Sequence, residues 1–287
     1  RKALEKYGAP VYVRHEIVHN KSVVEELELR GAIFVNELRS VPDGSRVVFS
    51  AHGVPKSVPK EAEKRGLKYF DATCPLVSKV HRGAEQHVSA GRKVILIGHA
   101  GHPEVVGTLG QVEDGNIHLV ETIEDAKNIN PEDPNHIAYV TQTTLAVDDT
   151  EEIINVLKER FPKISSPQKE DICYATTNRQ SAIKNIAQKC DAIIVIGALN
   201  SSNSVRLMEV AQKAGCQKVF LIANYNEINW DELINIKTIG LTAGASAPEK
   251  LVNEVLFAFK ERFSVEIEEI VTTIEDISFR LPRSLET

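Results

Sequence analysis

Lys93-Val94-Ile95-Leu96-Ile97-Gly98-His99-Ala100-Gly101-His102-Pro103-Glu104 is an apolar, β-branched run that breaks off into glycine and histidine and then meets a proline suited to open a helix. A short run of consecutive apolar residues bounded by turn formers suits a strand buried on both faces, as in parallel sheets. The same phrase recurs along the chain. Runs at Val11 to Val13, Ala32 to Phe34, Val47 to Ser50, Lys68 to Phe70, Val94 to Ile97, Ile137 to Val140, Ile193 to Ile196, Val219 to Ile222 and Thr238 to Leu241 alternate with amphipathic stretches. That alternation predicts an α/β protein with mainly parallel sheets. No run carries a plain dinucleotide fingerprint, and each group of strands ends in a longer polar stretch, so several small units fit better than one sheet.

Breaks near Asp71 to Pro75 and Pro167 to Cys173 divide the chain into three small α/β units, 1–72, 73–172 and 173–264. A tail, 265–287, is acidic and then extended at Ile277 to Pro282; it is expected to complete the first unit by covering its sheet. Arg1 to Tyr7 reads as the end of a helix closed by Gly8, with Pro10 just beyond. A helix that short implies earlier turns, and a strand feeding them, upstream of Arg1, so the chain reads as N-terminally incomplete.

The 287 residues are 42% hydrophobic and 26% charged, the balance of a folded globular protein and not of a disordered one. Lys and Arg number 34 against 40 Asp and Glu, for a net charge of −6, which argues against nucleic-acid or membrane partners and favours a small molecule. The apolar runs fall far short of the roughly 18 residues that cross a bilayer. Four cysteines are too sparse for a disulfide scaffold, which points to a reducing, cytoplasmic compartment.

The chemistry collects after the strands. His19 follows Val13, Ser50-Ala51-His52-Gly53 follows Phe49, and Gly98 to Glu104 follows Ile97. Thr141-Gln142-Thr143-Thr144, Asn200-Ser201-Ser202-Asn203-Ser204 and Thr242-Ala243-Gly244-Ala245-Ser246-Ala247-Pro248 continue the theme. Ligands of parallel α/β folds bind at the carboxyl ends of strands, and loops of neutral donors and helix N-termini suit a phosphate-bearing ligand. Singly, each loop has a plainer reading: Ser246-x-x-Glu249 matches a capping box, and Ser202 or Asn203 could cap the following helix. Glu104 falls where a helix dipole would stabilise a carboxylate, and beside His102 it forms a credible proton relay. His15, His81, His87, His118 and His136 read as core or surface residues.

Cys74, in Asp71-Ala72-Thr73-Cys74-Pro75, and Cys173, in Asp171-Ile172-Cys173-Tyr174-Ala175-Thr176-Thr177-Asn178-Arg179-Gln180, each precede a helix, where a thiolate is favoured for ligation or attack. Cys190 and Cys216 flank an apolar strand and a connection, and read as small hydrophobes.

Together these strings, with Val13-Arg14-His15-Glu16-Ile17-Val18-His19-Asn20, resemble the 4-hydroxy-3-methylbut-2-enyl diphosphate reductases, the LytB/IspH family, up to about Leu251 and in the family's order. The resemblance implies three α/β units around a central pocket that holds a 4Fe-4S cluster on three cysteines. Cys74 and Cys173 match two of the ligands; the third lies in a family segment before the helix that begins here at Arg1, and is absent from this chain. It implies diphosphate binding by His19, His52, Ser201, Ser202, Asn203 and Ser246. Glu104 would supply the proton, with His102 and either Thr143 or Thr144 arranging the substrate hydroxyl. Ferredoxin or flavodoxin would donate electrons. Two other readings stand beside it: a zinc-type hydrolase or lyase using His102, Glu104 and the two cysteines, and a non-catalytic diphosphate-binding protein if the natural chain starts at Arg1.

Overall fold

The computed structural model describes residues 1–281 and 285. Its chain order is α1 (Lys2–Tyr7), β1 (Val11–Arg14), α2 (Lys21–Leu29), β2 (Ala32–Val35), β3 (Arg46–Phe49), α3 (Ser57–Lys64), β4 (Lys68–Asp71), α4 (Pro75–Ser89), β5 (Lys93–Ile97) and α5 (Pro103–Leu109). There follow β6 (Ile117–Val120), α6 (Ile123–Asn128), β7 (Ile137–Thr141), α7 (Val147–Arg160), α8 (Tyr174–Ala187), β8 (Ala192–Ile196), α9 (Ser202–Lys213), β9 (Val219–Ile222), β10 (Ile239–Ala243) and α10 (Glu249–Arg262).

The strands form three sheets, ordered β2-β1-β3-β4, β6-β5-β7 and β10-β8-β9, with every pairing parallel. This is the three-sheet α/β architecture expected from the alternation of runs. Alternate residues of one strand feed two cores, as the two-residue pleat requires. In the middle sheet, Ile95 and Ile97 pack with Tyr139 and Leu157, while Val94 and Leu96 pack with Val80, Ala84 and Val105. In the third sheet, Ile193 and Val195 meet Ile183 and Leu207, while Ala192, Ile194 and Ile196 meet Leu251 and Val255.

Each sheet places its first strand inside, with later strands added on both sides, so that a topological switch point opens beside β1, β5 and β8. The crevices fall between β1 and β3, β5 and β7, and β8 and β10. The six polar loops singled out in the sequence leave these six strands.

One strand lies outside the sequence-based expectation. β6 is an edge strand of four residues whose His118 is exposed, too short and too polar to stand out as an apolar run. β3 lies one residue earlier than expected, and β10 starts one residue later and ends two residues later than expected. The tail from Ser264 to Leu281 has no regular secondary structure; Glu275 accepts from Asn178 Nδ2 at 3.0 Å, and Leu285 packs with Ala3, Val11 and Phe70. Of the extended stretch expected at Ile277 to Pro282, Pro282 lies outside the described residues. Among the described residues no helix is long and apolar enough to cross a membrane.

Candidate active site

Three imidazoles from two sheets meet. His19 and His52 stack at 4.4 Å between ring centroids, and His102 meets them edge-on at 6.0 and 5.8 Å. His19 comes from the loop after β1, which His15 enters with a left-handed φ of 58°. His19 Nδ1 pairs with Glu16 at 3.0 Å, and its Nε2 is buried with no hydrogen-bond partner among the described residues. Ser50 Oγ lies 3.3 Å from His52 Nδ1, and His102 Nδ1 accepts from the Glu104 amide at 3.2 Å, capping α5. Burial holds two of the rings neutral: His52 is pushed down to about 3 and His102 to about 4, with the neighbouring imidazoles adding to the effect.

Beside them lies Glu104, only 2% exposed. The Thr143 amide donates to its Oε1 at 2.7 Å, and the Thr143 hydroxyl to its Oε2 at 2.9 Å. Burial raises its pKa to about 7 against these two donors, with the charge of Asp171 adding to the rise. The helix-dipole stabilisation expected from its place at the start of α5 is therefore overridden: a dipole contributes less than complete removal of a carboxylate from water costs.

Thr143 and Thr144 part ways. Thr143 serves Glu104, whereas the Thr144 hydroxyl donates to Ser202 Oγ at 3.0 Å. Gln142, 1% exposed, ties this side together: its Nε2 reaches Thr144 Oγ1 at 2.9 Å, and its Oε1 accepts the His99 amide at 3.0 Å. Sequence reading passed over Gln142 as a site residue, although it stands inside a strand-end loop, the signal that selected its neighbours.

The third sheet adds Ser201, Ser202, Asn203 and Ser246. Ser201, not Ser202 or Asn203, is the N-cap of α9, accepting from the Ser204 amide. The capping box expected at Ser246 and Glu249 does not form, because α10 begins one residue after Pro248 and its cap has no side-chain bond. Ser246 Oγ instead donates to the His19 carbonyl at 3.1 Å, and Asn200 Nδ2 reaches Glu16 at 3.0 Å, so two contacts tie the third sheet to the first. Asn203 accepts from the Ala245 amide at 2.9 Å and donates to Thr176 Oγ1 at 3.2 Å.

Cys74 and Cys173 are the N-cap residues of α4 and α8. The Cys74 amide donates to Ala51, next to His52, and the Cys173 amide to Thr143, each at 3.0 Å. Thr176 Oγ1 lies 3.0 Å from Cys173 Sγ and is a second residue quoted in the sequence without being assigned a site role. Burial raises the Cys173 thiol, and the charges of Glu104 and Cys74 raise it further, so the favoured thiolate expected at a helix N-terminus does not arise from the protein alone. A cation between the two sulfurs would reverse that balance. Cysteine sulfur is the donor type that an iron–sulfur group takes; among the described residues no three His, Cys, Asp or Glu side chains converge to hold a metal ion by themselves. Cys190 and Cys216 lie elsewhere, with Cys216 buried in the core of α8 and α9.

The LytB protein family matches residues 1–260. A 4-hydroxy-3-methylbut-2-enyl diphosphate reductase of Hyphomonas neptunium is 59% identical over 283 residues, 99% of this chain and 90% of that protein. One from Gluconobacter oxydans is 56% identical, covering 99% and 85%. The structure of the E-1-hydroxy-2-methyl-but-2-enyl-4-diphosphate reductase from Plasmodium falciparum superposes with a TM-score of 0.95 at 36% identity, over 99% of this chain and 89% of that one. With most of its length matched by the family and its three-sheet fold shared with a solved relative, the chain belongs to the LytB family.

Proposed function

We propose that this protein is a 4-hydroxy-3-methylbut-2-enyl diphosphate reductase, acting at the last step of the non-mevalonate isoprenoid pathway. It removes the substrate's allylic hydroxyl as water, with uptake of two electrons and two protons, to leave isopentenyl or dimethylallyl diphosphate. The observation that carries the reading is the meeting of the His19–His52–His102 cluster, the buried Glu104–Thr143 pair and two cysteine-capped helices, whose cap amides bond to Ala51 and Thr143.

The diphosphate goes to His19, His52, Ser201, Ser202, Asn203 and Ser246. Imidazole N–H groups, hydroxyls and an amide bind it by direction, and the N-terminus of α9 adds partial positive charge. An uncharged His52 can take up a proton when the anion arrives, which strengthens binding where the charge appears. Glu104 holds the proton for the departing hydroxyl. Its raised pKa keeps a substantial protonated fraction near neutrality, and Thr143 fixes the direction in which that proton is presented. His102, whose Nδ1 is occupied by the Glu104 amide, offers Nε2 to the same hydroxyl.

The LytB family is one of iron–sulfur enzymes. Cys74 and Cys173 would supply two thiolate ligands of a 4Fe-4S cluster; when bound, that group supplies electrons singly and a Lewis-acidic iron. Electrons would come from a ferredoxin- or flavodoxin-type protein in the cytoplasm, and the folding units divide at 72, 172 and 264. The test is anaerobic turnover with a dithionite-reduced viologen as donor. The expected products are the two five-carbon diphosphates; folded protein with iron and sulfide bound that releases neither would overturn the reading.

A further inference from the structure

Lys79 lies little more than a turn into α4, the helix that Cys74 caps. Its ammonium has three donors, and all are directed at the segment just before Cys173. Nζ contacts Asp171 Oδ1 at 3.0 Å, the Lys169 carbonyl at 3.0 Å and the Glu170 carbonyl at 2.5 Å. The Asp171 side chain is 2% exposed, and its other oxygen accepts the Thr141 amide at 3.1 Å. From there the backbone runs one way to Thr143, which serves Glu104, and the other way to Cys173, whose amide returns to the Thr143 carbonyl. A buried carboxylate stripped of its cation is costly, so the segment is held wherever Lys79 stands.

We propose that Lys79 is a positioning residue: by clamping residues 169–171 to α4 it sets the separation of the Cys74 and Cys173 sulfurs and, through Asp171 and Thr141, their register with Glu104. Lys79 touches neither cysteine and acts only through the segments that carry them. The functional part of the inference rests on reading the two cysteines as ligands, whereas the geometric part does not.

The test uses the full chain with Lys79→Met, Lys79→Gln and Lys79→Arg. A short bis-methanethiosulfonate, in which each cysteine thiolate displaces one methanesulfinate, reports how often the two sulfurs sit within its span, and peptide mapping identifies the Cys74–Cys173 product. Lys79→Met should slow that cross-link about tenfold while single labelling of each thiol changes little, because only proximity is lost. Lys79→Arg, which keeps the charge and the donors, should stay within about threefold of the parent. Lys79→Gln keeps a donor without the charge and serves if the methionine variant does not fold, as judged by circular dichroism. In the loaded enzyme kcat should fall with KM held, since the diphosphate residues sit on other loops. Cross-linking at the parental rate in a folded Lys79→Met or Lys79→Gln protein overturns the clamp. The ligand reading is judged separately: if Cys74→Ser and Cys173→Ser both retain the parent's iron and sulfide, that reading falls and the clamp stands on the cross-link alone.

Discussion

Glu104 is buried, and the amide and hydroxyl of Thr143 reach its two oxygens. An acid with a pKa of about 7 donates its proton below that pH, so kcat should decline as pH rises through about 7. Removing the Thr143 hydroxyl takes away a donor that favours the carboxylate, so Thr143→Val should move that limb to higher pH; a limb that stays in place would separate Thr143 from the titration. Glu104→Gln, with iron content matched to the parent, should lose about 10²- to 10⁴-fold in kcat, and turnover at the parental rate would end the assignment. With the diphosphate role proposed for His52, His52→Asn should chiefly raise KM and leave kcat largely unchanged; substrate titrations measure this directly.

At the level of elements, the loop after β3 shows how narrow the tolerance is. Gly53 has φ +80°, and a Cβ built there would stand 2.6 Å from Cε1 of His81, a buried ring on α4. Gly53→Ala should cost about 1–3 kcal/mol in urea unfolding and raise KM as His52 shifts. The apolar runs of β5, β7 and β8 were legible in the sequence because strands covered on both faces must be apolar throughout. β6 was not, because an edge strand faces water on one side and needs no continuous run. Local rules also misplaced the caps: Ser246 fits a capping box by spacing, yet its hydroxyl is drawn to the His19 carbonyl, more than 200 positions away in sequence.

Across the whole molecule, the buried histidines couple the site to acid stability. His52, His81 and His102 have folded pKa values below the ordinary 6.5, at about 3 for His52 and about 4 for the other two. The unfolded chain takes protons that the folded one refuses. Their contribution is therefore complete above 6.5 and is lost as pH falls toward those lower values. Glu104 runs the other way: its contribution is complete below 4.5 and is lost as pH rises through about 7. His52→Asn removes one of the acid-sensitive groups. Relative to the parent, its stability should improve by about 2 kcal/mol between about pH 7.5 and about pH 5 in urea unfolding; a pH-independent difference would show that His52 titrates alike in both states.

By itself the sequence determined the class of fold, the parallel character of the strands and the six polar loops at the strand ends, because strand burial and helix initiation are written in short, local patterns. The family resemblance added which chemistry to expect of those loops. Only the tertiary structure decided which threonine meets Glu104, that Ser201 caps α9 while Ser246 reaches the first sheet, and that burial overrides both the dipole at Glu104 and the thiolate preference at Cys173. These outcomes depend on which side chains from separate sheets exclude water from one another, and desolvation is a property of the packed molecule that no local spacing encodes.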